Sequence, residues 1–237
     1  MELFINTYQY LLEHPAEFLQ KLATHLGLSG NALLVAFLLA FPLGVITARS
    51  RWAAALVNNL VGAVRSIPSL AVMAVMLPII GVGYRPALIA LTILAFPPIL
   101  LNTQAGFQSV SPSVVEAARG MGLSRTQLLR SIQLPLALPI ILAGIRTAAV
   151  EVMASATLGA IIGAGGLGEY IFAGLSLGSS YTHLMVIGAL PIALLALMAD
   201  TMLYRLERVA HRRSAGETVP AGGALAAPFT TKKGATI

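Results

Sequence analysis

The chain of 237 residues is 57% hydrophobic and 10% charged, with a mean hydropathy of +0.84. A soluble domain of ordinary composition carries about 25% charged residues. These figures therefore exclude an ordinary cytosolic enzyme and a disordered chain, and leave a polytopic membrane protein. With no cysteine there is no disulfide framework, thiolate nucleophile or Cys-ligated metal centre. The net charge of +6 reads, in such a chain, as cytoplasmic loops rather than a nucleic-acid footprint.

Residues 1–25 are expected to form a short external amphipathic segment. Glu2, Glu13 and Glu17 stand where a signal peptide would be basic. Five segments are long and apolar enough to cross a bilayer: about 28–48, 56–80, 86–106, 136–162 and 184–204. The second is interrupted by Arg65, Pro68 and Pro78. Such breaks are tolerated where neighbouring helices or a cavity satisfy the freed backbone. The runs are too long for strands and lack their alternation. The expectation is an all-α polytopic membrane protein, with a permease domain over 26–206 and a disordered cytoplasmic tail over 207–237.

Orientation follows from the cations. Arg49 and Arg51 follow span 1, Arg119, Arg125 and Arg130 lie between spans 3 and 4, and Arg205, Arg208, Arg212 and Arg213 follow span 5. Five spans put all of them on one side, with only Lys21 and Arg85 opposite. The positive-inside rule then places the N-terminus outside and the C-terminus in the cytoplasm.

The cytoplasmic loop 107–135 is the most informative stretch. Ser111 stands at an N-cap position, Pro112 suits the first helical residue, and a helix over 112–120 follows. Gly120 and Gly122 allow a sharp turn, and Ser124 caps a second helix over 125–133 that enters the membrane at Pro135. Glu116, Ala117, Ala118, Gly122, Ile132, Leu134 and Pro135 together fit the spacing E-A-A, three residues, G, nine residues, I-x-L-P. If each match has about one chance in ten, the coincidence is about one in ten million.

That spacing resembles the EAA loop of binding-protein-dependent ABC transporter permeases. The resemblance implies the type I importer fold and a coupling helix that docks on a separate ABC ATPase subunit. The candidate coupling residues are Glu116, Ala117, Ala118, Gly120, Gly122, Leu123, Ile132, Leu134 and Pro135. No cofactor is expected on this chain. It lacks a G-x-x-x-x-G-K-[ST] phosphate loop, so ATP and Mg belong to the ATPase. The other expected partners are an extracytoplasmic substrate-binding protein, a second permease subunit (identical or paralogous) and membrane lipid, in a bacterial inner membrane. No nucleic-acid partner is expected.

Five further stretches are similar to the osmoprotectant subfamily, which imports glycine betaine, choline or carnitine. They are Arg65–Leu70, Gly81–Pro86, Leu101–Thr103, Ala143–Thr147 and Ile162–Gly168. Permeases of methionine and amino-acid importers share the five-span plan and are the alternative. An ion-gradient secondary transporter is an alternative of another class, and it would require an inverted repeat. Glu151 departs from the pattern, in a position where an apolar residue is expected.

Arg146 and Glu151 both lie inside span 4, where a charge is a functional-site hypothesis by default. Five residues apart, they are separated by about 500° of turn, or about 140° net, so they do not share a face. They are candidates for the translocation path or gate. Asp200 is expected to pair with Arg205 or a neighbouring backbone group at the cytoplasmic end of span 5; Arg65 marks the cytoplasmic end of span 2, unless that span starts later. Gly163–Gly168 satisfies G-x-G-x-x-G, but an apolar helix precedes it where a dinucleotide site needs a strand. A flexible external turn is expected instead. The four histidines show no metal spacing.

Overall fold

The computed structural model describes residues 2–214, and these are helical throughout apart from short connections. The ten α-helices are α1 (Glu2–Glu13), α2 (Pro15–Thr47), α3 (Arg51–Arg65), α4 (Ser69–Ile80), α5 (Tyr84–Gln108), α6 (Pro112–Gly120), α7 (Arg125–Leu128), α8 (Leu134–Ala156), α9 (Gly168–Leu177) and α10 (Thr182–Ser214). A π-helical stretch, Leu129–Gln133, joins α7 to α8, and a 3-10 stretch, Thr157–Ile162, extends α8.

Four rods are long and apolar enough to span a membrane: Pro15–Thr47, Tyr84–Gln108, Arg125–Ile162 and Ser179–Arg212. A fifth passes the same test only when α3 and α4 are taken together as one broken span, bent by 84° across Ser66–Pro68. Pro68 causes the break. It has no N–H to give back into α3, and it pushes Ile67 out of helical geometry.

The core forms where α5 lies between α2 and α8. Along α2, Ala32, Ala36, Ala40 and Gly44 recur every fourth residue and are all buried. The stripe is small enough for backbones to approach closely, as membrane helices require. A Cβ on Gly44 would lie 2.7 Å from Thr103 Cβ, and one on Gly144 would lie 2.6 Å from the Pro98 carbonyl oxygen. Gln104 Nε2 donates to Thr47 Oγ1 at 2.6 Å, and that hydroxyl donates to the Leu43 carbonyl at 2.7 Å. Leu34, Leu38 and Leu39 on α2, and Leu190, Leu194, Leu197 and Met198 on α10, face outward, as lipid-facing residues should.

Several boundaries differ from the sequence expectation. No helix boundary falls at residue 25, because α2 runs unbroken from Pro15 to Thr47. Tyr10, Leu11, Phe18 and Leu22 pack on a second cluster built from Leu167, Tyr170, Leu184 and Ile187, so this region is docked rather than free. The fifth span does not stop at 204, and residues 207–214 are helix, not tail. Arg146 on α8 holds Glu207 within this stretch. Residues 215–237, the rest of the expected tail, lie outside the described residues. The short α9 was not anticipated.

Candidate coupling loop and membrane-embedded site

Between α5 and α8 the chain folds into two short helices. α6 begins at Pro112, but Ser111 does not cap it: its Oγ lies 2.7 Å from Ser113 Oγ instead. Gly120 is simply the last helical residue. The turn rests on Gly122, whose φ of +82° only glycine adopts without strain. Ser124 then caps α7 through a complete capping box. Its Oγ accepts from Gln127 N at 3.3 Å, and its own N–H donates to Gln127 Oε1 at 2.9 Å.

The two alanines of the E-A-A triplet divide their work. Ala118 is buried and holds α6 onto its own chain alongside Leu128, and its carbonyl accepts from Leu123 N at 3.3 Å. Both alanines were expected to permit close approach of a partner, but only Ala117 is exposed. It is exposed together with Val114, Glu116, Gly120 and Met121. Below the turn, the π-helical stretch Leu129–Gln133 carries Ile132 and leads into Leu134–Pro135, which start α8. α6 is therefore tied through α7 to one continuous membrane rod, Arg125–Ile162.

Arg146 points from α8 toward α10. Its Nε lies 3.5 Å from Asp200 Oδ1, its Nη1 lies 3.4 Å from Glu207 Oε2, and its guanidinium stands 5.3 Å from the centre of the Tyr204 ring. Asp200 thus faces Arg146 rather than the expected Arg205. Arg146 and Glu151 are not brought together. Glu151, half-buried, lines a cavity of about 160 Å³ with Arg65, Ser69, Pro97 and Pro98. Arg65 stands at the C-terminal end of α3, beside the bend. α3 begins well before it, at Arg51. Sequence reasoning did not connect it with Glu151. The proline that breaks the span was the available signal.

At the opposite end the glycine run is packed rather than flexible. Ala164, Gly166, Leu167 and Gly168 are buried. A Cβ on Gly166 would touch His25 at 3.3 Å, and one on Gly165 would touch Thr24 at 3.1 Å. An irregular helix precedes the run, not a strand. Gly83 N donates to the Ile162 carbonyl at 2.7 Å and joins the α4–α5 loop to the same surface. Nearby, Lys21 bridges Glu17 at 3.3 Å and Glu169, and lies 4.8 Å over the Tyr170 ring. Burial, with the Glu17 charge second, holds the Tyr170 phenol above its usual range.

An apolar bundle with one broken span and a capped cytoplasmic hairpin defines a multi-pass membrane transport subunit. The chain belongs to the family of binding-protein-dependent transport system inner membrane components, which matches residues 40–212. It is 38% identical to the choline transport system permease protein OpuBB of Bacillus subtilis, over 84% of this chain and 91% of that protein. It is 39% identical to the glycine betaine/carnitine/choline permease OpuCB of the same organism, over 84% and 91%. It is 36% identical to the osmoprotectant import permease OsmW of Salmonella typhimurium, over 86% and 97%. Among solved structures it resembles a chain of the MetNI methionine ABC transporter, with a TM-score of 0.73, 24% identity and coverage of 83% and 98%. An amino acid ABC transporter chain gives 0.70, 20% identity, and 85% and 97%. These two likenesses establish the type I importer permease fold.

Proposed function

We propose that this permease passes a small osmoprotectant, such as glycine betaine, choline or carnitine, across the inner membrane, driven by a separate ATPase. The observation that carries the reading is the exposed face of α6 (Glu116, Ala117 and Gly120), mounted on a capped hairpin continuous with a membrane rod. An ATPase that grips this face moves the rod as a lever, which suits rigid-body switching between outward-open and inward-open states. Ala118, Leu123, Ile132, Leu134 and Pro135 transmit that motion by keeping the hairpin seated. ATP and Mg are held by the ATPase, because this sequence has no phosphate loop.

The names of the relatives, which include choline, carnitine and glycine betaine, support the cargo class. A second permease subunit is part of the reading. Val64, Ile67 and Leu70 around the α3–α4 bend are exposed apolar groups beside charged Arg65, a surface suited to a protein neighbour rather than lipid. An extracytoplasmic binding protein delivers the cargo at the end formed by the 81–86 and 162–168 loops. Within the membrane, Glu151 belongs to the path and Arg146 to the tie between α8 and α10.

The test is uptake of labelled glycine betaine in cells with and without this chain, with the ATPase and binding protein present. Choline, carnitine and methionine serve as competitors. Uptake that depends on the chain, competed by choline or carnitine and not by methionine, supports the reading. Unchanged betaine uptake with lost methionine uptake overturns the cargo and keeps the importer.

A further inference from the structure

Glu151 sits in the last third of the Arg125–Ile162 rod, and Pro97 and Pro98 sit near the middle of α5, so the cavity they share with Arg65 lies within the depth of these two apolar rods. Charges at that depth are costly and persist where they have work to do. Among the described residues neither Arg65 nor Glu151 forms an ion pair, whereas Arg146, Asp200, Glu207 and Lys21 all do.

The cavity lining carries both electrical signs. Arg65 and Ser69, the first residue of α4, where the helix dipole is positive, supply one. Glu151 and the stretch Ile93–Leu94 supply the other. Pro97 and Pro98 carry no N–H, so the carbonyls of Ile93 and Leu94 lack their usual helical donors and keep partial negative charge. A second, largely apolar groove of about 560 Å³ adjoins and shares Val64, Ile67, Val72 and Ile93 with the first.

We propose that Arg65 and Glu151 form a two-signed translocation subsite for a zwitterion whose cation is fully alkylated. The cargo's carboxylate lies toward Arg65 and the α4 N-terminus, and its ammonium toward Glu151. An alkylated ammonium has no N–H to satisfy, so one carboxylate and apolar walls suffice. A primary ammonium brings three donors and finds Glu151 as the one acidic side chain among the described residues lining the cavity, which disfavours ordinary amino acids. This inference rests on the osmoprotectant reading above and names the residues that sort its cargo.

The experiment uses the complete importer in proteoliposomes, with binding protein saturated separately by glycine betaine (zwitterion) and by choline (cation only). The readout is the ratio of ATP-driven uptake rates. Arg65→Gln is expected to lower the betaine-to-choline ratio about tenfold, the value of one charge-assisted contact. Arg65→Lys, which keeps the charge, is expected to restore most of it. Glu151→Gln is expected to slow both cargoes together and leave the ratio near its starting value. The Arg65 readout is a ratio, which a partial loss of folded protein does not move; the Glu151→Gln rates are taken per amount of assembled complex in the liposomes. An Arg65→Gln ratio equal to wild type, or wild-type rates in Glu151→Gln, overturns the subsite. Wild-type importer that moves neither compound overturns the cargo reading itself, a separate outcome.

Discussion

Arg146 on α8 stands between Asp200 and Glu207 on α10, 3.5 Å from one carboxylate and 3.4 Å from the other. The two acids are seven residues apart, two helical turns, so one guanidinium spans consecutive rungs of the same face. Tyr204, between them, stacks on the same cation. The contact joins the rod that carries the coupling hairpin to the last helix. Arg146→Met is expected to cost about 1–2 kcal/mol, the low end for a charge-paired contact, because Asp200 is nearly half exposed. The check is the melting temperature of the purified complex, with a fall of a few degrees expected. Betaine-to-choline selectivity is expected to stay as it was.

Gly122 is expected to be the least replaceable residue of the hairpin. Its φ of +82° puts any side chain into the left-handed region, at a cost of about 1–2 kcal/mol. A Cβ there meets nothing within 4 Å, so the penalty is purely conformational. Gly122→Val is expected to leave the protein in the membrane but weaken copurification of the ATPase. Gly120→Ala, inside a regular helical turn, is expected to fold normally. Blue-native electrophoresis of the two variants separates these outcomes.

Gly144 allows α5 and α8 to touch. A Cβ would lie 2.5 Å from Asn102 Cβ and 2.6 Å from the Pro98 carbonyl oxygen, distances that force the helices apart. Gly144→Val is expected to destabilise the bundle by about 1–3 kcal/mol or more, the usual cost of overpacking. The displaced Pro98 also lines the Arg65–Glu151 cavity, so transport is expected to fall further than stability does. Paired measurements of thermal aggregation and betaine uptake test this.

Lys21 ties α2 to α9 through Glu169 and to its own helix through Glu17. Its side chain is only a fifth exposed, while both acids are about two-fifths exposed, so salt screens the contact in part. Lys21→Met is expected to cost under about 1 kcal/mol and to increase proteolytic cleavage near residues 14–20. A protection pattern identical to wild type would show that apolar packing of Phe18 and Leu22 alone holds the segment.

The elements legible in the sequence are those fixed locally. Hydropathy over about 20 residues marks the unbroken spans, and the spacing from Glu116 to Pro135 marks the hairpin with Gly122 at its turn. Ser124 was legible as a cap because the Gln127 that completes its box lies three residues on. What escaped was tertiary. Nothing near Asp200 says that its partner is 54 residues back at Arg146 rather than five ahead at Arg205. The helix beyond residue 204 reads as a charged interface, and it is held by that same distant cation. Arg65 and Glu151 are 86 positions apart, and only the bend at Pro68 brings them to one cavity. The glycine run looked flexible because composition does not reveal that His25 and Thr24 fill the space beside it.

The central claim is that the exposed face of α6 couples this permease to an ATPase that powers import. The most direct measurement is ATP-dependent uptake of labelled glycine betaine by proteoliposomes holding permease, ATPase and binding protein, with Glu116→Arg compared to wild type. Robust uptake by wild type is expected. For Glu116→Arg at least a tenfold loss is expected, with ATPase binding weakened and membrane insertion normal; tenfold is the loss of about 1.4 kcal/mol of coupling. Uptake by Glu116→Arg at the wild-type rate, or wild-type uptake that persists without the ATPase, would show that this face does not couple the two.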